Sequence, residues 1–597
     1  MCAIKGALLV VLVTMLGTTG QSEDAWQYAL AMHGEPAFPD GLQAPLPWVS
    51  ADAPQGGILR LSEIGTFDSM NPYIVFGLPA RGLGLVYQSL LYRSPDEPFT
   101  LYPQLARAIE VADDRSWIVF HLDPAARFQD GTPVTADDVL FTFEALRSEG
   151  KPHYQTFYAG VFDARAIDDL AVRFDLDGGN WELPMLLGLM PVLSRAYFET
   201  VPFERTNLEI PLGTGPYRVI AIEPGRRVVY QRDPDHWGNA LPQNVRRNNF
   251  ETIEYSWYRD SNVAHQAFLA GEIDLQFESD ALRWATGYDA PAVTDGRIVL
   301  EDLPHGRPSG LLAVVWNQRR PPFEDIRVRQ ALSLAFDFTW TNATLLHDHY
   351  QRTQSLFDNS DLAATGPAMG GELALLEPWR DDLPAELFEA PYVWPQTDGS
   401  GRLREQLRQA ADLLAQAGFI LNDGILIDAR NGEALDFELL LSDSSYERIM
   451  LPWMQNLERL GVRATLRTID AAQYRTRTAG FDFDAMIWHW GVSLSPGNEQ
   501  WIYWGGDAAD DEGSRNYPGL RDPVVDALIA QLSDARSYED LTAAARALDR
   551  VLMWGRHVLP LYYRSGDTLA RWADVQHSDV TPLYGVDTLS WWRESSN

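Results

Sequence analysis

The chain has 597 residues, too many for one ordinary core, so two or three domains are expected. Hydrophobic residues make up 46% and aromatic residues 11%, which excludes a disordered chain. A formal net charge of −35, spread along the chain rather than gathered in a tail, excludes nucleic acid as a partner, because phosphate binding needs clustered basic side chains.

Residues 1–20 read as an export segment: Lys5 supplies the positive charge, Ala7 to Leu16 a short apolar run, and Gly17 to Gly20 small residues for cleavage. That run is too short to span a bilayer, and Cys2 precedes it, where no lipid anchor is expected. The mature chain, starting near Gln21, then has no cysteine and needs no disulfide in an oxidising compartment.

Gly56 to Ile64 alternates like a strand and runs into the turn-rich stretch Gly65 to Pro72, where Phe67, Asp68 and Asn71 are available to face a ligand. A plain strand-to-loop connection is the other reading. Arg115 to Leu122 is a strand, Asp130-Gly131 a turn, and Thr135 opens a helix with Asp138 at the capping-box position. Pro304 to Pro308 has linker chemistry, and Gly310 to Trp316 is again a strand. Asn422-Asp423-Gly424 and Asn431-Gly432 read as hairpin turns.

From Ala434 the pattern becomes strand (434–442), helix (446–460), strand (462–469), helix (470–479) and strand (481–490), the signature of an α/β sheet with parallel neighbours. In such sheets ligands bind beyond the carboxyl ends of strands, and Trp490 to Gln500 lies just past one. Four of the 20 tryptophans fall between Phe481 and Trp504, which points to Trp488 and Trp490 as apolar walls of a site; a buried aromatic strand is the alternative.

Catalytic motifs are lacking. There is no Gly-x-Ser-x-Gly, no phosphate-binding loop and no His-Glu-x-x-His; Gly82-Leu83-Gly84 lacks the third glycine of a dinucleotide fingerprint. His347 and His349 read as solvated rather than metal-binding, and Asp482 and Asp484 as hydrogen-bonded strand-edge groups rather than a catalytic pair. No enzyme, metal or cofactor is expected, a peptide hydrolase being the alternative of a different class.

Arg127 to Glu144 (RFQDGTPVTADDVLFTFE) resembles the signature of the family 5 extracellular solute-binding proteins of ABC importers. Gly213 to Tyr217, Ala270 to Asp274, Ile326 to Leu332 and Leu559 to Tyr562 recur in that family's order, so the resemblance covers nearly the whole mature chain. Ala31 to Pro36, Gly65 to Asp68, Asp96 to Phe99, Ser493 to Gln500 and Ser514 to Tyr517 resemble its Yej-type branch, which takes up oligopeptides and the peptide antibiotic microcin C; Trp501 stands where that branch has a basic residue.

The resemblance implies an α/β, two-lobed periplasmic binding protein fold of the large peptide-binding type. Lobe one would comprise residues 21–75, an inserted subdomain at 76–204, residues 205–304 and a C-terminal return at 561–597; lobe two would be 305–560. It implies a monomeric periplasmic protein that closes on an oligopeptide and docks on an inner-membrane ABC permease, with an oligosaccharide as the alternative ligand. Trp488 and Trp490 would wall the ligand, the main chain of Gly491, Val492 and Ser493 would pair with it, Asn498 and Glu499 would lie in the same loop, and Phe67, Asp68 and Asn71 would face them. Peptide binders of this family place an aspartate three residues after the tryptophan matching Trp490, to meet the ligand's ammonium. Here that position is Ser493, so acetylating the peptide is expected to change affinity less than about tenfold, or ~1.4 kcal/mol. Glu499 is the residue able to replace the missing acid.

Overall fold

Strands from distant parts of the chain gather into two main sheets in the computed structural model, which describes residues 26–594. The expected export segment lies outside the described residues. The first sheet has seven strands, in the order Ile298–Pro304, Gly566–Trp572, Leu275–Phe277, Ile58–Ile64, Thr252–Tyr258, Arg227–Arg232 and Tyr217–Glu223. Its central strand, Ile58–Ile64, is parallel to both neighbours, so the carboxyl ends of three strands lie together.

The second sheet has five strands, ordered Arg463–Thr468, Asp436–Leu441, Ala485–Trp490, Leu311–Trp316 and Val558–Pro560. The first three are parallel, as the strand–helix alternation predicts; the last two join antiparallel, which makes the sheet mixed. Leu311–Trp316 is apolar throughout because both its faces are covered. Val314 and Trp316 enter one core, Ala313 and Val315 the other, following the two-residue period of the pleat.

Local chemistry explains several boundaries. Helix Ala136–Glu149 starts at a capping box, in which the Thr135 amide donates to Asp138 Oδ2 at 3.0 Å. It packs beside a four-stranded antiparallel sheet built from residues 106–176. Strands Phe419–Asn422 and Ile425–Asp428 are joined through Asp423 (φ 49°) and Gly424 (φ 80°), the two positive angles that a tight hairpin turn requires.

The chain passes between the two main sheets twice, from Ile298–Pro304 to Leu311–Trp316 and back from Val558–Pro560 to Gly566–Trp572. Arg307 and Asp567 form an ion pair where the two crossings meet. Gly310 follows the first crossing at φ +69°, and a Cβ there would stand 2.4 Å from the Trp490 carbonyl oxygen. No other residue lets the crossing come so close to the end of strand Ala485–Trp490.

Candidate functional site

The carboxyl ends of parallel strands from both sheets open onto two adjoining cavities, which is where the topology of open α/β sheets places ligands. One, of about 590 Å³, lies at the ends of Ile58–Ile64 and Leu275–Phe277 and is lined by Glu63, Ile64, Arg81, Gln276, Phe277 and Arg283. The other, of about 660 Å³, spans the two lobes and is lined by Tyr446, Arg448, His489, Tyr562, Tyr563 and Arg564. Ser279 lines both, so the two form one cleft.

The lobes touch at both margins of this cleft. At one margin the Tyr350 hydroxyl of lobe two donates to the Ser279 carbonyl at 3.3 Å, an acceptor it shares with Arg564 of the returning chain at 2.8 Å. At the other, His33 Nε2 lies 2.9 Å from Ser495 Oγ, the Gly34 amide donates to the Arg536 carbonyl at 3.3 Å, and Arg536 stacks over Trp181 at 4.4 Å. Burial lowers the His33 pKa to about 4, so its ring is neutral at pH 7 and the contact with Ser495 is a neutral hydrogen bond.

Pleating sorts the tryptophans. Trp488 and Trp490 share one strand face and His489 takes the other, which turns His489 into the cavity. Trp490 is 0% exposed: its ring packs on Trp504 at 4.7 Å and its Nε1 donates to the Arg515 carbonyl at 3.1 Å. The expectation that Trp490 walls the ligand is therefore corrected, since both faces and the polar tip are taken up by the core. Trp488 is half-buried against Tyr517 at 4.7 Å, and its Nε1 has no protein partner.

On the opposite lobe the side chains of Phe67 and Asn71 also need correction. Phe67 is buried against Trp257 at 4.4 Å, and Asn71 spends its amide on the Phe203 carbonyl and the Tyr73 amide, at 2.8 and 3.0 Å. Asp68 is exposed, but its Oδ1 accepts from the Leu78 amide, so it braces the 68–78 loop. The residues that do line the cleft there, Glu63, Ile64 and Phe277, end the strands themselves; applying the strand-end rule to Ile64 instead of to the following turn would have found them.

The loop after Trp490 is the most informative part. Gly491 is exposed, Val492 and Ser493 are half-buried, and among the described residues none of their amides has a hydrogen-bond partner. The amides of Thr66 and Phe67, past the end of Ile58–Ile64, are unpaired as well. Farther along, Asn498 is exposed before the short helix Glu499–Trp504. Glu499 accepts from the Gly497 amide and the Gln500 side chain, both at 3.0 Å, and among the described residues it has no cationic partner. Burial pushes the Glu499 carboxyl above its usual range; Glu182 of the other lobe is raised by burial and then by the charge of Glu499. Asp482 and Asp484 are held by Arg320 at 2.9 and 2.8 Å, as the strand-edge reading predicts.

Comparison with known proteins agrees with this architecture. Residues 100–512 match the bacterial extracellular solute-binding proteins, family 5 Middle. A putative binding protein of Brucella melitensis is 41% identical over 96% of this chain and 95% of its own, and a probable peptide-binding protein YejA of Agrobacterium fabrum is 39% identical over 96% and 95%. The oligopeptide-binding protein AppA of Bacillus subtilis, solved with a nonapeptide, shares the two-lobed fold with a TM-score of 0.64 at 20% identity, over 91% of this chain and all of that one. With the family matched across most of its length and relatives this similar over nearly all of it, the chain belongs to the family 5 bacterial extracellular solute-binding proteins.

Proposed function

We propose that the protein is the periplasmic substrate-binding component of an ABC importer, holding an oligopeptide between its lobes and delivering it to an inner-membrane permease. The observation that carries this reading is the unpaired main chain at 491–493, just past the end of the strand whose His489 lines the cleft. These amides are open to a ligand, and an extended peptide would satisfy them without regard to its sequence. The Thr66 amide, exposed past the strand end, offers the same on the other lobe. Native mass spectrometry of freshly purified protein tests this: peptide masses carried with the protein support it, and a uniform sugar or metal adduct speaks against it.

Glu499 bears on which end of the peptide is read. Among the described residues its carboxylate has no cation to offset its burial, and Glu182 of the facing lobe, offset in part by Arg93, adds negative charge, so the ligand's ammonium is the group that would complete the site. This favours the replacement acid over the expectation drawn from Ser493. Acetylating a bound peptide should weaken it by more than tenfold, or ~1.4 kcal/mol, and Glu499→Gln should remove the difference. Calorimetry on the peptide pair, with both proteins, checks this. A formylated microcin C-type cargo lacks the ammonium; equal affinity for free and blocked peptides would favour that cargo and return the site to Ser493.

A further inference from the structure

A separate pocket of about 320 Å³ lies in lobe two, away from the cleft, with Arg352 in its wall. Phe336, Phe338 and Trp394 surround the guanidinium, their ring centroids 5.1, 5.5 and 5.1 Å from its carbon. Such rings stabilise a cation through their faces but neutralise nothing. Among the described residues Arg352 has no carboxylate partner, and its one hydrogen bond is a long contact of 3.4 Å from Nη1 to the Leu561 carbonyl. Asp337, between two of the cage residues in sequence, does not reach Arg352: its Oδ1 accepts from the Thr397 hydroxyl and the Trp340 amide as a helix cap, and its Oδ2 is buried without a partner.

Burial lowers the Arg352 pKa to about 9, which leaves it charged at pH 7 but in need of an anion. Other donors line the same space. Trp394 Nε1 is buried without a partner, and Gln354, Gln396, Thr397 and Gln406 complete the wall. With rings over the guanidinium and Nη1 turned to Leu561, the edge formed by Nε and Nη2 is the part left for a ligand. A planar group lying in the plane of that edge matches it in bidentate fashion, which describes a carboxylate better than a tetrahedral phosphate.

We propose that this pocket is a second ligand site, distinct from the interlobe cleft, that takes a small organic carboxylate, with the carboxylate on Arg352 and the apolar part against Phe338 and Trp394. The carboxylate is supplied either by a free small molecule or by the C-terminus of a short peptide.

Calorimetry with cargo-free protein tests this, using sodium benzoate, sodium phosphate, a tripeptide ending in phenylalanine and that tripeptide's C-terminal amide. Benzoate is expected to bind saturably, at least tenfold more weakly to Arg352→Gln, and to remain bound when the cleft is filled with a saturating pentapeptide amidated at its C-terminus. Gln406→Glu, a change on the half-buried rim that leaves the cage intact, should also weaken benzoate and covers the case in which Arg352→Gln fails to fold. If the tripeptide competes with benzoate and its amide does not, the source is a peptide C-terminus; if neither competes, it is a free carboxylate. Absence of saturable benzoate binding, binding unchanged in both variants, displacement of benzoate by the amidated pentapeptide, or binding of phosphate alone would overturn the proposal.

Discussion

Trp490→Ala is expected to lower folding stability by ~3–5 kcal/mol, the range for removing a large aromatic side chain from a core. The indole is fully buried among Trp504 and Tyr517 and holds the Arg515 carbonyl through Nε1, so the change opens a cavity and strands an acceptor at the same time. Two residues earlier on the same strand face, Trp488 is only half-buried and its Nε1 is unpaired. Its replacement by alanine should therefore cost less stability and, because Trp488 lies on the strand face opposite His489 and the cavity, leave peptide affinity nearly unchanged. Denaturant midpoints and calorimetric affinities of the two variants, measured side by side, check the order of the stability losses and the small effect of Trp488 on binding.

Arg550→Met is the second large effect, expected at ~3–5 kcal/mol. The Arg550 side chain is 0% exposed and meets Glu372 at 2.6 Å, while its other donors reach the carbonyls of Leu387 and Gly366 at 3.1 and 2.6 Å. One guanidinium thus ties helix Tyr538–Gly555 to helix Gly370–Leu376 and to the segments on either side of it. Removing it leaves a buried carboxylate without a partner and two unmet carbonyls. The double variant Arg550→Met with Glu372→Met should recover part of the loss, because desolvated ion pairs are close to neutral against apolar replacements whereas half of one is costly. Denaturation midpoints of the two single variants and the double one check the sign of that recovery.

The local elements were legible because their signals are local. The Thr135 capping box, the Asp423-Gly424 turn and the strand–helix alternation after Ala434 each depend on a few neighbouring residues, and each forms as read. The site was only half legible. The loop from Gly491 follows from the strand-end rule, yet whether Trp490 faces a ligand or a core depends on Trp504 and Tyr517, which lie beyond the strand's own pattern. The two-residue period puts Trp488 and Trp490 on one face and His489 on the other. What it could not supply was the partner of each face. The cleft itself is assembled from residues near 63, 277, 446, 489 and 563, and no spacing in the chain links them.

Isothermal titration of cargo-free protein with a mixture of unmodified pentapeptides, set against an oligosaccharide of similar mass, tests the central claim most directly. The account predicts saturable binding of the peptides, weakened by more than tenfold when the central backbone amides are N-methylated, and no heat from the oligosaccharide. Saturable binding of the oligosaccharide with none of the peptides, or peptide affinity untouched by N-methylation, would contradict it.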